Sequence, residues 1–202
     1  MSAGGPLLAV HELCLERGGR QLFQQLSFAI QPGQLVQIEG ANGAGKTSLL
    51  RILAGLSRYG FTGRVERHSP LLYLGHQPAV KSLLTPRENL AWHVAGEARY
   101  SDEQIERALA SVGLYGYEDV PSNTLSAGQH RRVNLARLYL SRCPVWLLDE
   151  PFTAIDKTGV AELEKLMLGH VDGGGAVVLT SHQLLHAASR VQILRLNEGL
   201  MA

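Results

Sequence analysis

The run Gly40, Ala41, Asn42, Gly43, Ala44, Gly45, Lys46, Thr47, Ser48 spells a loop that can wrap phosphates. Its glycines let successive N–H groups turn inward, where a Cβ would clash or forbid the dihedrals. Lys46 has the reach and charge to meet β and γ phosphates, and the Thr47 hydroxyl suits a ligand of Mg²⁺. An apolar run, Leu35 to Ile38, enters the loop, and a helical pattern, Ser48 to Ala54, leaves it. The start of that helix adds a positive field at the same place. A chance glycine-rich turn would have neither flank, so the pattern points to a bound nucleoside triphosphate.

Two further constellations could act on such a ligand. Val145-Trp146-Leu147-Leu148 is an apolar run ending in Asp149 and Glu150. A buried strand that ends in acids beside a phosphate loop delivers one carboxylate, Asp149, toward Mg²⁺ and another, Glu150, as a base for an attacking water. Alone, this spelling is weak, because many strands end in acidic turns. The segment Leu125-Ser126-Ala127-Gly128-Gln129 opens a helical stretch, Gln129 to Ser141. There the Ser126 hydroxyl and the Gly128 N–H could converge on an anion. Read by itself, Ser126 is better taken as a helix cap.

The elements that must hold these residues alternate. Leu7 to Leu15 and Leu22 to Ile30, joined by Arg17-Gly18-Gly19-Arg20, are expected to form an antiparallel pair. Short buried-type strands are expected at Leu71–Leu74, Val145–Leu148, Ala176–Thr180 and Val191–Leu196. Helices are expected at Pro86–Ala98 and Ser101–Val112, the second opened by the capping-box spelling Ser101-Asp102-Glu103-Gln104. Strands alternating with helices predict an α/β fold with a mainly parallel sheet core, an antiparallel β lobe and an inserted helical lobe. The expected organisation is a single domain over 1–202, with a core lobe at about 1–77 and 124–202 and a helical lobe at about 78–123.

Bulk properties exclude several classes. The 202 residues allow one domain, and a formal net charge of +1 without a basic run argues against a nucleic-acid partner. Arg131, Arg132, Arg137 and Arg142 make the nearest approach to a basic stripe, read here as a solvated helix face. No run approaches the length of a membrane span, and the first residues lack a signal-peptide pattern, so a cytoplasmic location is expected. Cys14 and Cys143 have no clustered partners and receive no function.

The order of phosphate loop, Gln77, Leu125-Ser-Ala-Gly-Gln129, acidic strand, Asp156 and His182 resembles the ABC-type ATPases over nearly the entire chain. Their usual spelling has Gly at the position of Ala127. The resemblance implies an α/β P-loop fold of ABC ATPase type that hydrolyses ATP with Mg²⁺. It implies that Gln77 senses Mg²⁺ and water, that the loop bearing Asp156 crosses a dimer interface, and that His182 contacts the γ-phosphate. It further implies a head-to-tail dimer, with Ser126, Gly128 and Gln129 of one copy closing the nucleotide of the other. Where the family commonly stacks an aromatic on adenine, 29 positions before Lys46, this chain has Arg17. A guanidinium can also stack on a base.

A narrower resemblance rests on Val36 to Gly40, Asn42 to Thr47, Leu125 to Gln129 and Asp149-Glu150-Pro151-Phe152-Thr153-Ala154-Ile155-Asp156. These strings are similar to the ATP-binding subunits of bacterial cytochrome c maturation complexes, known as haem exporters. That implies integral membrane partners, a peripheral place on the cytoplasmic face of the inner membrane, and a role in haem export or release of a haem-loaded chaperone. The ATPase of another ABC transporter and a soluble ABC ATPase without a transporter stay open as alternatives. The stretch between Ala54 and Gln77 is shorter than the family leads one to expect, as if a hairpin were trimmed.

Overall fold

Two apolar patterns give two sheets. The computed structural model describes residues 5–91, 100–183, 185 and 188–196. Alternating residues build the hairpin of β1 (Leu8–Arg17) and β2 (Arg20–Ile30), paired antiparallel through the Gly18-Gly19 turn. The alternation is interrupted where Glu12 and Gln25 take positive φ, both 48°, and bulge the two strands. Past Pro32-Gly33 comes β3 (Leu35–Glu39), then the phosphate loop and α1 (Lys46–Leu53). Leu49, Leu50, Ile52 and Leu53 of α1 are buried against Leu13, Leu26 and Ile30 of the hairpin. Each such side chain stabilises the fold by about 1.5–3 kcal/mol on burial.

β4 (Phe61–Arg67) returns to pair antiparallel with the free side of β1, a strand not foreseen in the sequence. Gly63 sits where the Glu12 bulge presses on β4, and a Cβ there would come within 2.5 Å of the Glu12 carbonyl oxygen. Arg67 at the end of β4 donates from Nε to the Leu53 carbonyl at 2.6 Å and from Nη2 to the Ile52 carbonyl at 2.5 Å. These bonds satisfy the last carbonyls of α1 and tie it to the antiparallel sheet.

The remaining elements are β5 (Leu71–Leu74), α2 (Pro86–Ala91), α3 (Asp102–Ser111), α4 (Ala127–Leu140), β6 (Val145–Asp149), α5 (Lys157–Asp172), β7 (Ala176–Thr180) and β8 (Val191–Arg195). The expected continuation of the second helix to Ala98 lies outside the described residues. Near-continuous apolar runs make a parallel sheet in the order β5-β6-β7-β3-β8. Trp146, Leu148, Val177 and Leu179 point from it toward Leu163, Met167 and Val171 of α5. Helices α2, α3 and α4 enclose their own cluster, with Leu90, Ile105, Leu109, Leu114 and Val133 at its centre.

α4 is covered on two sides, and this overturns the reading of its arginines as a solvated face. Leu135 and Leu138 join the sheet-side core while Val133, Ala136 and Leu140 join the helical cluster. Arg131 and Arg137 are only 2% and 4% exposed, Arg132 is half-buried, and Arg142 alone faces solvent. Main-chain carbonyls receive the N–H groups of Arg131, and the Ala79 carbonyl receives one from Arg137 at 2.7 Å. Among the described residues, no helix is long and apolar enough to cross a membrane.

Candidate functional site

β3 delivers the phosphate loop at the C-terminal edge of the parallel sheet, and α1 carries it away. Gly45 caps α1 with φ 99°, and a Cβ there would press within 3.2 Å of the Phe23 ring and 3.3 Å of Leu22. Only glycine fits both the left-handed backbone and that space. Lys46 Nζ donates to the carbonyls of Gly40 at 2.7 Å and Ala41 at 3.3 Å, so its ammonium is held over the mouth of the loop.

Strand register brings the acids to this loop. Thr180 of β7 is paired with Ile38 of β3 on one side and Asp149 of β6 on the other, so three strand ends form one row. The Thr180 hydroxyl donates to Asp149 Oδ1 at 2.8 Å and accepts the Glu150 N–H at 2.9 Å. Thr47 Oγ1 donates to the same Oδ1 at 3.1 Å. Asp149 is buried, and its Oδ2 has no hydrogen-bond partner among the described residues. A buried, unused carboxylate oxygen is costly unless a cation or ordered water meets it. Beside a hydroxyl and a phosphate loop, that donor set fits Mg²⁺, which takes few protein oxygens and completes its shell with phosphates and water. No cluster of three or more His, Cys, Asp or Glu suited to a metal occurs among the described residues.

Glu150 leaves β6 with φ 49°, a left-handed backbone rare for a residue with a side chain. The turn keeps its side chain partly exposed, with Oε1 3.5 Å from His182 Nε2. Arg17, Leu22, Asn42 to Ser48, Glu150 and His182 line one open cleft of about 480 Å³. The chain thus gathers a cationic loop, a base-like carboxylate and an imidazole around a space for a triphosphate.

Other residues singled out in the sequence stand away from that cleft. Gln77 is exposed on the loop after β5. Ser126 caps α4, its Oγ accepting the Gln129 N–H at 3.2 Å while Gln129 Oε1 accepts the Ser126 N–H at 2.8 Å. Asp156 caps α5 by accepting the Gly159 N–H at 2.8 Å and pairs with Arg132 Nη2 at 2.8 Å. A Cβ on Gly128 would sit 3.2 Å from the Ala154 carbonyl oxygen, so the start of α4 rests on the loop that leads to Asp156. A second cavity, of about 200 Å³, lies behind that contact between α3, α4 and α5, with Arg132 and Asp156 in its wall and no part of the phosphate loop.

The sequence profile described as ABC transporter matches residues 23–153, a stretch that holds the phosphate loop, the α4 cap and both acids. The chain belongs to the ABC transporter family. Among similar ABC proteins, one from Yersinia pestis bv. Antiqua (strain Nepal516) is named "Cytochrome c biogenesis ATP-binding export protein CcmA". It is 53% identical over 194 residues, covering 91% of this chain and 89% of that protein. A protein of the same name from Hahella chejuensis is 49% identical over 207 residues, covering 97% of this chain and 98% of its own length. Among solved structures, a dimeric ATP-binding cassette in a post-hydrolysis state with ADP and Pi superposes with a TM-score of 0.83 at 21% identity. The match covers 96% of this chain and 97% of that one, and it shows a shared ABC ATPase fold.

Two residues of this ABC chain carry geometry that the sequence did not mark. Thr180 is visible in the sequence only as the last residue of an expected strand, though its hydroxyl joins both acids. Arg131 was placed among solvated charges, and its single signal was a position five residues after Ser126 on a helix with little polar surface.

Proposed function

We propose that this chain is the ATP-hydrolysing subunit of a membrane ABC complex for c-type cytochrome biogenesis, acting in haem export or in release of a haem-loaded chaperone. The observation that carries the hydrolytic part is the row Thr47, Asp149, Thr180, Glu150 at the C-terminal edge of the sheet. The biological part rests on relatives about 50% identical over most of the chain that bear the cytochrome c biogenesis name.

In this reading the N–H groups of Asn42 to Thr47 and the Lys46 ammonium hold the β and γ phosphates. Thr47 and Asp149 would hold Mg²⁺, with Gln77 reaching it from the loop after β5; the ion would supply charge neutralisation on the phosphate oxygens. Glu150 accepts the proton of the attacking water. His182, 3.5 Å from the Glu150 carboxylate, orients it and meets the γ-phosphate. Arg17 stacks on the base. Ser126, Gly128 and Gln129 come from a second copy in a head-to-tail dimer, and Asp156 lies where the copies meet. The capping box on Ser126 is compatible with this, because a hydroxyl oxygen that accepts one bond still has its own proton to donate.

Integral membrane subunits dock on residues 77–89, at the cytoplasmic face of the inner membrane. Leu83 there is 88% exposed beside Lys81, an apolar anchor with a charge next to it. Arg87 is already paired within the chain, with Asp119 at 2.8 Å and Glu106 at 3.0 Å.

The test is Glu150→Gln. An amide cannot take the water's proton, so turnover should fall at least about a hundredfold while MgATP binding persists. The variant should then accumulate as an ATP-bound dimer on size-exclusion chromatography. Wild-type turnover by this variant would remove Glu150 from its role.

A further inference from the structure

The Arg131 guanidinium donates to five main-chain carbonyls and joins three segments of the candidate site. Nη1 reaches Gly75 O at 3.0 Å and His76 O at 3.3 Å, the two residues before Gln77. Nη2 reaches Asp149 O at 3.2 Å and also the Glu150 carbonyl, and Nε reaches Pro151 O at 3.4 Å. The planar fork of five N–H groups is what allows one side chain to bridge so many acceptors, and lysine has no equivalent. Because β5 and β6 are neighbours, the Gln77 loop and the Glu150 turn leave the sheet side by side, and Arg131 spans them from α4.

The clamp acts on a strained backbone. Glu150 has φ 49°, and its peptide groups are held on both sides, the N–H by Thr180 Oγ1 at 2.9 Å and the carbonyl by Arg131, with a longer bond from the Thr153 N–H at 3.3 Å. Without the Arg131 bond, only the longer Thr153 contact holds the Glu150 carbonyl, and the left-handed turn could relax toward an extended conformation and swing the carboxylate out of the cleft. Six residues further along α4, Arg137 takes the Ala79 carbonyl at 2.7 Å, so the same helix grips the chain before and after Gln77. Burial lowers the Arg131 pKa, and the charges of Asp149 and Glu150 oppose that shift.

Resting on the hydrolytic reading above, we infer that Arg131 is a positioning residue that sets the Glu150 carboxylate and the Gln77 loop from the helix that begins at Ser126. It is not among the residues that line the cleft. Movement of the N-terminus of α4, as when a second copy presents its nucleotide there, reaches both loops through this one side chain.

The experiment compares Arg131→Met and Arg131→Lys with the wild type and Glu150→Gln, each as the full chain, in steady-state ATP hydrolysis, MgATP binding and thermal melting. Arg131→Met should lower kcat at least tenfold, with KM and the Kd for MgATP within about threefold and a cooperative melt retained. Arg131→Lys should recover part of kcat, because an ammonium reaches only some of the carbonyls. Adding Arg131→Met to Glu150→Gln should cost much less than the tenfold it costs alone, since the share of the clamp that runs through Glu150 is already lost. A merely structural residue would move KM and binding along with kcat. Arg131→Met with kcat within twofold of wild type, beside an inactive Glu150→Gln, would overturn the clamp and leave the hydrolytic reading standing. Loss of the folded state in both Arg131 variants would also overturn it, as the residue would then be structural alone. Full turnover by Glu150→Gln is the distinct failure of the hydrolytic reading itself and would remove the clamp with it.

Discussion

Thr47 and Asp149 are 102 residues apart in the chain, yet the Thr47 hydroxyl donates to the Asp149 carboxylate at 3.1 Å. The contact joins the first turn of α1 to the end of β6, and Asp149 Oδ2 is buried without a hydrogen-bond partner among the described residues. In the proposed function, that oxygen and the Thr47 hydroxyl would hold the Mg²⁺ of a triphosphate. Thr47→Val keeps the shape of the side chain and removes the oxygen. Its stability should drop by only about 1 kcal/mol, the worth of one hydrogen bond, while the Mg²⁺ concentration for half-maximal ATP hydrolysis should rise at least tenfold. A Mg²⁺ titration unchanged from wild type would place the ion elsewhere.

In the proposed function, Arg17 sets base selectivity. It lines the cleft beside the phosphate loop, where it can stack on a purine without reading the groups that distinguish adenine from guanine. ATP and GTP should therefore support turnover within about tenfold, which is about 1.4 kcal/mol. A thousandfold preference for ATP would require an adenine pocket built by other residues.

His170 gives the fold an acid-side weakness. Its ring stacks on Trp146 at 3.7 Å and 7°, with Nε2 3.0 Å from the Pro144 carbonyl. Burial holds its pKa below the ordinary 6.5, against the opposing pull of the Pro144 bond. A folded pKa below the unfolded one means that the unfolded chain binds more protons. The contribution is then present above about pH 6.5 and is lost as pH falls through the lower folded value. Melting temperature should fall from pH 8 to 5.5 in the wild type, and His170→Phe should flatten that decline while costing about 1 kcal/mol at pH 8 through the lost hydrogen bond. Parallel pH profiles for the two proteins would exclude His170 as the source.

What the sequence made legible was local chemistry. The spelling around Lys46 and the acids after Leu148 told which side chains to seek, and the cleft brings Lys46, Thr47, Glu150 and His182 together. The Ser101 capping box forms as spelled, with Ser101 Oγ accepting the Gln104 N–H and Gln104 Oε1 accepting the Ser101 N–H. Long-range partners were not legible. Nothing local distinguishes an arginine that donates to five carbonyls from one in water, so Arg131 was misread. β4 was missed because Phe61–Arg67 is a half-exposed edge strand with Gly63 and charged residues in place of an apolar alternation. The left-handed turn at Glu150 depends on Thr180 and Arg131, which the fold supplies from other elements.

In the proposed function, ATP turnover at this site drives c-type cytochrome biogenesis. The measurement that tests it most directly is haem staining of periplasmic cytochromes in a strain whose own copy of the gene is replaced by Lys46→Ala. Lys46 is the cation over the phosphate loop, held at 2.7 Å from Gly40 O, and its loss should abolish productive ATP binding without disturbing the core. Covalently attached haem should disappear from c-type cytochromes, while haem synthesis and b-type cytochromes continue and the wild-type gene restores the stain. Normal c-type cytochromes in the Lys46→Ala strain would contradict it.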